Sequence, residues 1–426
     1  MYEINNILCI KKTKNMLYLK YTRCIMGKHK FIHCADLHLG CNPNHLEARY
    51  NDFFDSFKDL IDKAIIENCE YMIISGDLFH LKVINSKTLL NVINLLEYAK
   101  NNNIKIFVIE GNHDKAFFED TESWLIFLEA KGYITLLKHS IENSQIKITN
   151  DSIYEDENIR IIGIGYLGSA TSIYLKGIEN KISKSDKFTI LMLHGAINRL
   201  SGQDLGDFNI NILTPLQGIV DYVALGHIHY KYAYEDFCFN PGALENIRIK
   251  EGKKSDQKGY YIVEFNENKE KVVNFHISKK RKIYNETIKL ENEESIFEVK
   301  KIIKNKEFNC EKDSILEITI YGNVPFNPYL INFEEIKQYF KEKYELLYVD
   351  INNLINIVTQ EQSTDSIIDI KLIESEAITN YLDQNHPYIT NSNEFTKKIL
   401  DVKTSLIEKT DLNTIIKSMV DEGDIL

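Results

Sequence analysis

The chain has no CxxC pair, no long apolar run, no internal repeat and no surplus of basic residues. Its seven cysteines stand at irregular spacing, which argues against a disulfide framework and for reduced thiols. No stretch of 18 or more apolar residues occurs, so no membrane span is expected. Lys11, Lys12, Lys14 and Lys20 interrupt the first 25 residues, which therefore read as no signal peptide. A cytoplasmic protein is the expectation. Acidic residues outnumber basic ones by 62 to 51, a net charge of −11. Taken alone, that argues against a nucleic-acid partner, yet net charge averages over domains and a metal site brings its own positive charge. Apolar material is plentiful. Hydrophobic residues at 44% and aromatic residues at 11% suffice for substantial cores and exclude a disordered chain. The length, 426 residues, predicts two or three domains.

Residues 1–26 read as a dispensable extension, because Met26-Gly-Lys looks like an alternative start ahead of the first strand. Apolar strand-type runs follow at Phe31 to Cys34, Tyr71 to Ser75 and Ile104 to Ile109. Helical periods over 47–68 and 86–102 separate them. This β-α-β-α-β order predicts parallel pairing in an α/β fold. A helix over 123–131 comes next, then strands at Ile159 to Ile164, Phe188 to Leu193 and Asp221 to Leu225. A hairpin, Tyr260 to Phe265 with Lys271 to Ile277, closes a first domain spanning 27–282. Residues 283–363 repeat a smaller strand–helix pattern, a small α+β domain. Residues 364–426 carry helical spacing, with Phe395, Ile399 and Leu400 on one face.

The polar clusters fall at the carboxyl ends of the predicted strands, where α/β folds bind ligands. Val108-Ile-Glu-Gly-Asn-His-Asp114 brings an amide, an imidazole and a carboxylate to one loop tip. Ala35-Asp-Leu-His38, Gly76-Asp-Leu-Phe-His80, Leu193-His194 and Gly226-His-Ile-His229 supply matching pieces. Phosphodiester hydrolysis needs a nucleophile, a charge clamp on the phosphate and help for the leaving alkoxide. Two divalent ions about 3.5–4 Å apart supply the first two. Carboxylates, imidazoles and one carbonyl oxygen suit manganese, iron or zinc rather than calcium.

The ordered series DxH, GDxxH, GNHD, H and GHxH resembles the calcineurin-like metallophosphoesterase superfamily. The wording Ala35-Asp-Leu-His-Leu-Gly40, Ile109-Glu-Gly-Asn-His-Asp114, Ala224-Leu-Gly-His-Ile-His229 and Asn240-Pro-Gly-Ala-Leu-Glu245 is similar, more narrowly, to SbcD-like double-strand-break repair exonucleases. The likeness covers residues 28–282 by motif and the smaller domain by layout. It implies a β-sandwich flanked by helices, a capping domain over 283–363 and a helical ATPase-binding segment over 364–426. It also implies two divalent ions, most simply Mn²⁺. Asp36, His38, Asp77 and His229 would hold the first, and Asp77, Asn112, His194 and His227 the second, with Asp77 bridging. His113 would serve as general acid toward the leaving oxygen or stabilise the phosphate. Asp114 would orient its ring or, in the blander reading, cap the turn, and His80 would touch the substrate strand or phosphate. DNA ends, an SbcC-type ABC ATPase and a second copy of the chain are the implied partners.

Blander readings apply to single pieces. A lone DxH or HxH is more often structural, whereas five pieces in this order are not. His33 precedes the site and reads as structural, and Arg49 with Asp52 reads as a local helix pair. The basic stretches Lys279 to Lys282 and Arg248 to Lys258 are either solvated surface or a track for a DNA backbone. Two competitors remain. One is a metallophosphatase or phosphodiesterase acting on a non-DNA substrate. The other is a structural platform, which would have no reason to keep all the ligand-type positions.

Overall fold

The computed structural model describes residues 29–358 except 117–121, 144, 199, 201–205 and 292, together with 374–375, 377–379, 382 and 392–408. The extension 1–26 and most of 364–426 therefore lie outside the described residues. The chain divides into two compact units, Met1–Val358 and Thr359–Leu426.

Two six-stranded sheets face each other in the first unit. One runs, edge to edge, Lys271–Ile277, Gly259–Phe265, His29–Cys34, Tyr71–Ile74, Lys105–Val108 and Thr135–Leu136. The other runs Tyr232–Tyr234, Cys238–Asn240, Tyr222–Gly226, Phe188–His194, Ile159–Ile164 and Ile153–Glu155. In the first sheet the strands from His29–Cys34 to Thr135–Leu136 pair in parallel, as buried runs joined by helices should. The closing hairpin adds antiparallel strands at one edge.

Alternation along each strand sends side chains to opposite faces. Phe31, Ile73, Phe107, Ile161, Phe188, Met192, Tyr222 and Phe265 meet between the two sheets. Their neighbours Ile32, Cys34, Met72, Ile74 and Val108 face the helices instead. Burying one such aromatic side chain contributes about 1.5–3 kcal/mol. The helix Glu47–Ile66 buries Phe53, Phe57, Leu60 and Ile61 against that outer face. It ends where Asn68 turns left-handed, at φ 56°. Ser86–Asn101 starts at Asn85, whose side chain accepts from Thr88 N at 2.8 Å.

Residues after the hairpin form a third sheet of three parallel strands, Ile283–Glu291, Ile315–Val324 and Tyr348–Ile357. The helices Ile296–Asn305 and Phe333–Lys343 make the crossovers and cover its core of Leu316, Ile318, Ile320, Ile336 and Phe340. In the second unit, the helix Ser392–Glu408 carries Thr396, whose hydroxyl lies 2.9 Å from that of Thr379.

Candidate metal centre

The strand ends bring the predicted site residues together. Asp36 and His38 follow His29–Cys34, Asp77 follows Tyr71–Ile74, and Asn112 and His113 follow Lys105–Val108. From the facing sheet come His194, the last residue of its strand, and His227 and His229. The backbone there is unusual. Asp36, His38, Asp77 and His227 all have positive φ, at 54°, 46°, 53° and 89°. Non-glycine residues adopt such angles at a cost, and several together mark a functional site. Close approach also dictates glycine. A Cβ on Gly76 would fall 2.2 Å from His194 Nδ1, and one on Gly111 would fall 2.0 Å from Asp77 Oδ1.

Three groups of donor atoms converge within 4.8 Å: Asp36, His38 and His229; Asp36, Asp77 and His194; and His38, His80 and His113. Asp77 Oδ2 lies 3.7 Å from His38 Nε2 and 3.6 Å from His194 Nε2, between the two sides of the site. Its other oxygen accepts from the His113 amide at 2.9 Å. His194 Nδ1 donates to the Ser75 carbonyl at 2.7 Å, so its Nε2 is the nitrogen that faces the site. That Nε2 meets Asn112 Oδ1 at 3.2 Å, and His227 Nδ1 meets the same oxygen at 3.0 Å.

The electrostatics at this point are mixed: burial lowers the His38, His80 and His227 imidazoles, while His194 goes the other way. Burial pulls the His194 imidazole down, yet Asp77 and Asp36, with hydrogen bonds to Asp77 and Ser75, outweigh it and hold the ring at about 9. Burial pushes the Asp77 carboxyl up, but His194, His38 and the His113 amide bring it well below the usual range. Asp36 is raised, chiefly by burial. With Nδ1 given to Ser75, His194 Nε2 is turned toward Asp77 Oδ2 and Asn112 Oδ1, a convergence that a shared cation would serve as well as a proton. This donor set fits divalent ions bound by carboxylate, imidazole and carbonyl oxygen.

The remaining candidates divide. His80 and His113 stack with ring centroids 5.6 Å apart, and His80 Nδ1 lies 3.4 Å from His38 Nδ1, so both join the site. Asp114 has a different place from the one expected. Its carboxylate accepts from the amides of Leu78, Phe79 and Gly111, at 3.2, 3.0 and 3.0 Å. The His113 ring is oriented by the His80 carbonyl instead, 2.6 Å from Nδ1. Asp114 thus ties the Asp77 loop to the Asn112 loop, and burial with the nearby Asp77 charge pushes it up to about 7. His33 is structural: it is buried and bonded to Tyr222, Leu225 and Ser75. The Arg49–Asp52 pair is present at 2.7 Å, and Arg49 also reaches Glu245 at 3.3 Å. The basic stretches are partly committed inside the protein. Lys258 is completely buried against Glu251 and Arg281 is paired with Asp52, so neither tracks a DNA backbone.

Three site neighbours escaped the sequence reading. Tyr166 packs on His227 at 5.3 Å and His194 at 5.9 Å. Asp207 Oδ2 lies 3.8 Å from His227 Nε2, and Glu251 Oε1 lies 3.2 Å from His229 Nδ1. Tyr166 sits two residues past the strand Ile159–Ile164 but carries no metal-ligand side chain, and Asp207 and Glu251 lie outside the strands where no spacing signal marks them.

Residues 29–231 match the family of calcineurin-like phosphoesterases. The chain carries a calcineurin-like metallophosphoesterase domain and is a metal-dependent phosphodiester hydrolase. Beyond that domain the likeness extends to DNA double-strand break repair proteins Mre11 of archaea. The one from Sulfurisphaera tokodaii is 27% identical over 74% of this chain and 79% of its own length. The one from Methanococcus maripaludis is 28% identical over 80% of this chain and 97% of its own length. The one from Methanocaldococcus jannaschii is 31% identical over 56% of this chain and 63% of its own length.

Proposed function

We propose that this chain is a two-metal DNA exonuclease and endonuclease that processes DNA ends in double-strand-break repair, together with an SbcC-type ABC ATPase. The observation that supports it best is the pair Asp36 and Asp77: Asp36 is common to two of the donor groups, and Asp77 Oδ2 stands between His38 and His194 at 3.7 and 3.6 Å. The similarity to break-repair proteins over most of the chain supports DNA as the phosphodiester.

In this reading Asp36, His38, Asp77 and His229 hold one cation, and Asp77, Asn112, His194 and His227 hold the other, with Mn²⁺ as the ion. Bound there, the cations supply the positive charge that polarises a phosphodiester and activates water for attack. The chain's own groups position and protonate. With Nδ1 of His113 given to the His80 carbonyl, Nε2 is the nitrogen left for substrate. Protonated, it hands its proton to the leaving sugar oxygen. His80, stacked on that ring, contacts the substrate strand. The 283–363 region caps the site, 364–426 carries the ATPase-binding surface, and two copies form the working dimer.

The test uses the purified chain with Mn²⁺, an end-labelled linear duplex and a phosphate monoester, beside Asp77→Asn. Release of nucleotides or short fragments, lost in Asp77→Asn, is the expected result. Monoester turnover with a duplex that stays intact even when the ATPase is added would establish a non-DNA phosphatase instead.

A further inference from the structure

Glu251 lies outside every motif, in the 3-10 turn Ile249–Gln257, and is buried. One carboxylate oxygen accepts from His229 Nδ1 at 3.2 Å. The other accepts from the Ile247 amide at 3.1 Å and from Lys258 Nζ at 2.8 Å. Lys258 has no exposed surface and also donates to the Glu245 carbonyl at 3.4 Å. A carboxylate accepts only, so His229 Nδ1 carries its proton and Nε2 keeps a lone pair. That Nε2 points to His38 Nε2, 3.2 Å away, inside the Asp36–His38–His229 group.

A buried Glu–Lys pair is a poor stabiliser, since removing two charges from water costs about as much as their attraction returns. Packing alone would be served as well by two apolar side chains. The pair makes sense if its carboxylate is needed at His229. We propose that Glu251 is a positioning residue for the metal centre: it fixes the tautomer and tilt of His229, and Lys258, with the Ile247 amide, holds that carboxylate in place. The proposal rests on the two-metal reading above. It assigns to residues 251 and 258 a role that neither their spacing nor any strand end discloses.

Two double variants separate the role from stability. Glu251→Leu with Lys258→Met removes the ion pair and the acceptor together. Glu251→Gln with Lys258→Met removes the charges but leaves an amide oxygen to accept from His229. Neither leaves an orphan charge, but the Leu/Met variant also leaves the Ile247 amide and His229 Nδ1 without their acceptor. In the metal-free state it is therefore expected to melt somewhat below the Gln/Met variant, and metal binding rather than melting reads the role. Calorimetric titration of Mn²⁺ into chelator-treated protein reads the difference. The Leu/Met variant is expected to bind one of two Mn²⁺ about 10–100-fold more weakly, the usual cost of losing an outer partner of a metal-bound imidazole. The Gln/Met variant is expected to recover most of that affinity. Equal Mn²⁺ binding by the two double variants would overturn the proposal. Absence of Mn²⁺ uptake by the unsubstituted chain would overturn the metal reading itself, and this role with it.

Discussion

Asp114 shows how far a residue's identity runs ahead of its position. The GNHD order places it one residue from His113, yet its carboxylate turns away and gathers three backbone amides. Those amides belong to two loops, one carrying Asp77 and the other Asn112. Asp114→Ala leaves all three without that acceptor, and a buried amide without a partner costs about 1–3 kcal/mol. A denaturant melt is expected to show a loss of stability, with Asp114→Asn intermediate because one oxygen remains. Because His113 is held by the His80 carbonyl, the ring's hydrogen bond is expected to survive in Asp114→Asn. A general acid is lost as pH rises, so the alkaline limb of the pH–rate profile should then stay where it is while the whole profile drops.

At the level of elements, the two sheets are tied at one edge by Asp156. Its carboxylate accepts from Tyr71 of the first sheet and Tyr154 of the second, each at 3.0 Å, and from the amides of Asn158 and Ile159. Burial pushes this carboxyl up, but the two amides and two hydroxyls outweigh it and hold it at about 2. A carboxyl depressed on folding contributes stability that is fully present above its unfolded value of about 3.9 and is lost as pH falls toward the folded value. Melting temperature is therefore expected to fall between about pH 4 and pH 2. Asp156→Asn should flatten that part of the curve. A fall of equal size in Asp156→Asn would place the effect elsewhere.

For the whole molecule, the question is how the three-stranded sheet after Lys282 stays on the sandwich. Arg281 is the tie. Its Nε and Nη2 bind both oxygens of Asp52 on the helix Glu47–Ile66, each at 2.6 Å. Its Nη1 donates to the Asp313 carbonyl, just ahead of the middle strand of the third sheet. Its amide donates to Glu245 Oε2 at 2.9 Å. A bidentate arginine–carboxylate pair is among the stronger polar contacts, and lysine cannot reproduce it. Arg281→Lys is expected to speed proteolytic cleavage between 278 and 284 several-fold over the unsubstituted chain, while Mn²⁺ uptake by the sandwich persists. Unchanged cleavage would show that the strand contacts alone hold the two parts together.

Much of the fold and the core of the site were legible before any coordinates. Strand runs such as Tyr71 to Ile74 are continuous apolar stretches, and strand ends are where a parallel sheet places polar side chains. Asp36, His38, Asp77, Asn112, His194, His227 and His229 could be named because each sits at or just past such an end and matches the motif series that resembles the metallophosphoesterases. The pairing of the two sheets, and the short edge strand Ile153–Glu155 that Asp156 follows, carry no periodic signal of their own. Glu251, Lys258 and Asp207 come from irregular segments brought in by tertiary packing. Which carboxylate backs which imidazole, and that Asp114 faces amides rather than His113, depends on backbone directions set by contacts far apart in the chain. Local residue order determined the donor chemistry of this protein; only the folded chain decided how those donors are held.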